Sequence, residues 1–141
     1  KMEEEPMERK VKHLEFIQGI INRMAGNSFM LKGWAVTLIS GIFVLASKDT
    51  DKLYFLVAYL PIIIFWGLDS YYLLQERLYR SLYEKICNTD EDKIDFSLKA
   101  TKYEFKSDKN SFFDCILSPT ELWFYFPLAL ICTGIIIITH L

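Results

Sequence analysis

Two carboxylates, Asp69 and Glu76, stand seven residues apart in the string LDSYYLLQERLYR, a spacing that sets both on one face of a helix just beyond an apolar run. Acids so placed at a membrane surface have two uses. They can hold Mg²⁺ or Ca²⁺ against lipid phosphates, or they can pair with cations, and Lys32, Arg77 and Arg80 are at hand. Pairing is the commoner use and the expectation here, with Glu76 and Arg80 at i, i+4 in the favourable order. The same basic side chains suit anionic lipid headgroups. Cys87, Cys115 and Cys132 are odd in number and lack metal-ligand spacing, so free thiols are expected rather than disulfides or a zinc site. His13 has no His or Cys at ligand spacing and reads as packed or solvated. With no phosphate-binding glycine loop and no nucleophile in a recognisable setting, the sequence predicts no catalysis, no metal and no cofactor.

These residues are strung along a chain whose apolar and charged parts are segregated: of 141 residues, 52% are hydrophobic while 24% are charged. The fold expected is all-α and integral to a membrane, with three transmembrane helices, a cytosolic N-terminal amphipathic helix and a cytosolic extension of the second span. The first apolar run follows a long charged segment, unlike the layout of a signal peptide. A net charge of −2 and the lack of an interleaved basic and aromatic surface argue against nucleic acid.

Residues 1–26 read as a cytosolic amphipathic arm. Met7, Val11, Leu14, Ile17, Ile21 and Met24 fall at steps of three and four, one stripe on a helix. The stripe suits packing on the protein's own cytosolic part; a helix lying on the bilayer or coiling with a partner fits as an alternative. Gly26 suits the end of this helix, and Asn27 or Ser28 the cap of the next.

Residues 27–86 read as a membrane hairpin with a cytosolic helical extension. The first span runs from about Phe29 to Ala46, the length a hydrocarbon core of roughly 30 Å requires. Lys32 is expected to reach back to the headgroups and Trp34 to anchor the interface. Gly33, Thr37, Ser40 and Gly41 form one small-residue face for close helix contact, inside one chain or between subunits alike. After the polar turn SKDTDK, the second span runs from about Leu53 to Leu68, with Pro61 expected to kink it. Trp66 marks the far interface, and the helix continues to near Asn88. Residues 87–120 are a cytosolic linker in which DFSLKATKYEF allows an extended segment, while Phe112, Phe113, Ile116 and Leu117 suit a short interfacial helix. Ser118-Pro119-Thr120-Glu121 is a strong helix start for the third span, residues 121–141. Trp123 anchors that span, and Ala129 with Thr133 makes a second small-residue face.

Lys and Arg set the orientation. The arm through Lys32 holds six, the SKDTDK turn two, residues 69–120 eight, and the last span none. Arm and linker therefore face the cytoplasm, and the turn and C-terminus lie outside.

The strings HLEFIQGIINRMAGNSFMLKGWAVTLISGIF and FWGLDSYYLLQERLYRSLY, with DFSL and LSPTELWFYFPL, resemble the RipA-type family of small bacterial inner-membrane proteins over nearly the whole chain after residue 12. The resemblance implies a homo-oligomer, an octamer, with cytosolic parts gathered around an axis, and supplies no catalytic motif. The function expected is a homo-oligomeric scaffold, with self, lipid and a cytosolic protein as candidate partners. Two alternatives stay open: an oligomeric channel or pore, and an accessory subunit of a larger membrane complex.

Overall fold

The computed structural model describes residues 5–48, 53–107 and 109–140, and the regular elements among them are all helical. The first helix, α1, spans Pro6–Ala46 without interruption. Proline at its first turn and Glu8 beside it suit a helix N-terminus. Gly26 does not end the helix, contrary to the sequence reading. A glycine stops a helix by turning left-handed, and no described glycine has positive φ. The 41 residues of α1 extend about 60 Å at 1.5 Å per residue, roughly twice a hydrocarbon core.

The SKDTDK turn lies mostly outside the described residues. A four-residue helix, α2 (Leu53–Leu56), then precedes α3 (Tyr59–Cys87). Between them the amide of Ala58 donates to Phe55 O at 3.2 Å and that of Leu60 to Val57 O at 3.1 Å, so the break keeps its polar groups satisfied. Pro61 is third in α3, within the first turn, where its amide would have had no intrahelical acceptor. The expected kink is thus replaced by a break ahead of the proline. α3 ends at Cys87, capped at Asn88, much as its pattern predicts. Lys10 of α1 closes this end, its Nζ donating to Cys87 O at 3.2 Å and Thr89 O at 2.9 Å, a cation at a helix C-terminus.

α1 and α3 form an antiparallel hairpin along their length. α1 presents His13, Ile17, Ile21, Ala35, Ile39 and Ala46 to it, and α3 presents Ile62, Asp69, Ser70, Leu74, Leu78, Leu82 and Ile86. Most of these steps are four residues, which holds one face toward the partner. Where the start of α1 meets the end of α3, Ile17 and Ile21 pack on Leu82, Ile86 and Ile94. The arm therefore packs on its own chain, although Met7 and Val11 of the stripe stay exposed.

A 3₁₀ turn, Glu91–Lys93, leads into an irregular linker without strand structure among its described residues. α4 (Phe112–Ile116) is amphipathic: Phe112 packs against Leu74, Leu78 and Cys115, while Phe113 and Leu117 face outward. α5 (Pro119–His140) follows, the Ser118 hydroxyl accepting the Glu121 amide at 3.4 Å. α5 packs on the hairpin through Tyr125 and Cys132, which join Ala35, Ile39 and Ile62.

Among the described residues two helices, α1 and α5, are long and apolar enough to cross a membrane. The apolar stretch 53–68 is divided between α2 and the first turns of α3.

Candidate functional site

The densest polar cluster lies where α1, α3 and α5 meet. α1 supplies Ser28 and Lys32, one turn apart; α3 supplies Asp69, where its apolar stretch ends; α5 supplies Glu121 in its first turn and Tyr125 one turn on. Asp69 is fully buried and its two oxygens are shared out: Ser28 Oγ donates to Oδ1, while Lys32 Nζ and Tyr125 OH, the latter at 2.9 Å, reach Oδ2. Lys32 also donates to Glu121 Oε1 at 3.2 Å and to Ser28 Oγ at 3.1 Å. Its ammonium lies 5.8 Å from the ring centroids of both Phe124 and Tyr125, a favourable cation–π position. Lys32 therefore does not reach back to headgroups as expected. Two carboxylates hold it between the helices, its side chain only 17% exposed.

The charge count is uneven. Two buried carboxyl groups face one ammonium, and Glu121 Oε2 is buried without a hydrogen-bond partner among the described residues. The junction can join three helices, because a buried ion pair with its hydrogen bonds satisfied fixes geometry tightly. It is poorly arranged for hydrolysis. A serine beside a lysine acts as nucleophile and base only when the lysine is free to take a proton, and here two carboxylates occupy it.

The other candidates divide between this junction and elsewhere. Asp69 and Glu76 are not brought together. Glu76 takes Arg80 instead, at 2.9 and 2.8 Å from Nε and Nη2. Arg77 reaches neither acid; it donates to Lys109 O at 2.7 Å and toward Cys115 Sγ at 3.7 Å, pinning the linker onto α3. Trp66 is not a lipid-facing anchor. Its indole donates to Ile116 O at 3.1 Å and its ring stacks on Tyr125 with centroids 5.8 Å apart, tying α3, α4 and α5. Trp34 and Trp123 do face outward, Trp123 being 81% exposed.

The two small-residue faces have different fates. Ala129 is partly buried against the α1–α3–α5 core, and Thr133, itself exposed, has its hydroxyl 2.6 Å from that of Tyr59 on α3. Gly33, Thr37, Ser40 and Gly41 are all exposed, on the side of α1 away from α3 and α5. Because α1 is continuous, that face extends further: Gly19, Gly26, Gly33 and Ser40 recur every seven residues. A β-carbon at any of those three glycines would meet nothing within 4 Å.

The cysteines are free, with Cys87 exposed and Cys115 and Cys132 buried. Burial pushes the Cys115 thiol up, which leaves it a poor nucleophile. Near the N-terminal end of α1 His13 is buried edge-on to Phe96, with centroids 5.4 Å apart. Burial lowers its pKa, and the Asp95 carboxylate acts the other way.

Sequence reasoning placed Lys32 among the partners for Asp69 but missed Ser28, Glu121 and Tyr125. Glu121 had a local explanation as an acid in a first helical turn, which hid its second role. Two i, i+4 pairs of polar residues beside apolar runs, Ser28–Lys32 in the middle of α1 and Glu121–Tyr125 in the first turns of α5, were the available signal. Compared with protein-family models, curated proteins and solved structures, the chain matches none.

Proposed function

We propose that this chain is a three-span protein of the bacterial cytoplasmic membrane that works as a homo-oligomeric scaffold, acting by assembly rather than by catalysis. The observation that carries the proposal is the outward glycine face of α1. Glycine inside a helix costs about 0.5–1 kcal/mol relative to alanine. Three of them recur at seven-residue spacing, and a β-carbon at any of them would meet no atom of another described residue within 4 Å. Small residues at helical spacing let backbones approach closely in lipid, and a second copy of α1 is the simplest occupant.

The membrane reading rests on exposed apolar surface. Only 17% and 11% of the most apolar windows of α1 and α5 are buried, and a soluble core helix would be covered. The stretch 53–68 supplies the second span, held against α1 and α5 by the Lys32–Asp69–Glu121 junction at the cytoplasmic interface. The excess of Lys and Arg on the arm and linker puts these parts in the cytoplasm. Phe113, Leu117 and Trp123 then meet the lipid at the inner leaflet. An octamer is the stoichiometry implied by the RipA-type resemblance.

Crosslinking in native membranes tests the scaffold. Gly33→Leu should abolish the multimer ladder while leaving the chain inserted; a ladder unchanged in that variant would remove the basis of the proposal. A second reading keeps the same helices but places Thr37 and Ser40 along the axis of a conducting ring. Ion release from liposomes that is lost on Thr37→Leu would favour it.

A further inference from the structure

The membrane-distal end of α1 carries a groove of about 350 Å³ between the helix and the linker, lined by Arg9, Lys12, His13, Phe16, Phe96 and Leu98. Its walls are largely apolar, and three features mark it as unfinished. His13 is only 5% exposed, yet its Nε2 has no hydrogen-bond partner among the described residues. Phe96 holds φ at 52°, a left-handed conformation unfavourable for a residue with a side chain. Arg9 lies 5.9 Å from the Phe96 ring and makes no ion pair among the described residues. The neighbouring charges are engaged otherwise: Lys12 with Glu8 at 3.2 Å, and Asp95 with the Ser97 amide at 2.9 Å.

The opposite flank of α1 is complementary. Val11 and Glu15, one turn apart, form an exposed ridge, and Glu15 too has no ion-pair partner among the described residues. The line of Gly19 and Gly26 runs between ridge and groove. Copies inserted in one membrane with one topology are related by an axis along its normal, so equal residue numbers sit at equal height. Val11 and Glu15 lie within the Arg9–Phe16 interval and therefore at the level of the groove.

Resting on the oligomeric reading above, we infer that the groove of each copy receives Val11 and Glu15 from α1 of the next copy. Val11 packs on Phe16, Phe96 and Leu98. The Glu15 carboxylate accepts from Arg9. Groove against ridge is a heterologous contact, which closes rings rather than forming two-fold pairs.

The test uses the full chain purified in mild detergent and weighed by native mass spectrometry. Arg9→Glu and Glu15→Arg should each lower the assembled fraction roughly tenfold at fixed concentration, and the double exchange should restore it. Both positions are exposed, so the single variants keep their fold. In a Cys87→Ser background, Val11→Cys with Leu98→Cys should give a disulfide ladder between copies on oxidation. Single variants that assemble like the wild type, with no ladder, would overturn the inference and leave the oligomer standing. A monomeric wild type would overturn both. A small bound mass lost on Phe96→Ala, again without a ladder, would assign the groove to a ligand and overturn it as well.

Discussion

Asp69 accepts from three donors on two other helices, which makes Lys32 the residue whose loss is felt most. Lys32→Met keeps the stem and leaves two buried carboxylates with no cation. Breaking a buried pair in this way costs about 3–5 kcal/mol, a fall on the order of 10 °C in the detergent-solubilised thermal midpoint. Glu121→Gln has a different outcome. It removes the second carboxyl, keeps an oxygen for Lys32, and puts an amide where Oε2 lies buried. That variant should shift stability by less than about 1 kcal/mol, and a loss as large as that of Lys32→Met would refute the uneven charge count. His13 gives a pH dependence of defined sign. Its pKa in the folded state is lowered below the ordinary 6.5, so the unfolded chain binds more protons there. Stability of the arm should fall as pH drops through 6.5 toward the lowered value, and hydrogen exchange over residues 10–24 should report it. His13→Gln should flatten that slope.

Helix boundaries were legible in part, and the errors share a cause. The end of the first span at Ala46, the close of α3 beside Asn88 and the start of α5 at Pro119 all followed from apolar pattern and capping residues. Gly26 and Pro61 were misread because both are ambiguous without neighbours. Glycine ends a helix only by turning left-handed, and in lipid it is as often a site of close approach. Proline disrupts a helix in its interior but not in its first turn. Pro61→Ala should therefore cost less than about 1 kcal/mol, against roughly 3 kcal/mol for the disruption expected of an interior proline. A gain of several degrees in thermal midpoint would argue that the break is imposed by Pro61. The glycine face supplies the converse. Gly26→Ala in a lone helix should stabilise by about 0.5–1 kcal/mol, whereas Gly26→Leu should weaken association without changing helix content. The Lys32–Asp69 link was legible because both residues flank apolar runs; the third helix's share was hidden by its distance in sequence.

At the scale of the molecule, the chain is a long hairpin with a third helix fastened at one level, and much apolar surface is exposed, Trp123, Ile131 and Ile138 on α5 among it. On the proposed membrane reading, lipid would cover these residues. The face of α1 carrying Gly19, Gly26 and Gly33 has small residues where lipid would ask only for apolar ones, and it continues into the arm, which that reading puts outside the bilayer. The proposed second copy of α1 would account for both. Sequence alone left the contact open between one chain and several, since Gly33–Gly41 and Ala129–Thr133 look alike until the fold shows that only the second pair is used internally. The measurement that bears most directly on this account is the native mass of the intact particle extracted in mild detergent. The account predicts one closed, high-order species that Gly33→Leu converts to monomer. A wild-type monomer, or a broad mixture that this variant leaves unchanged, would contradict it.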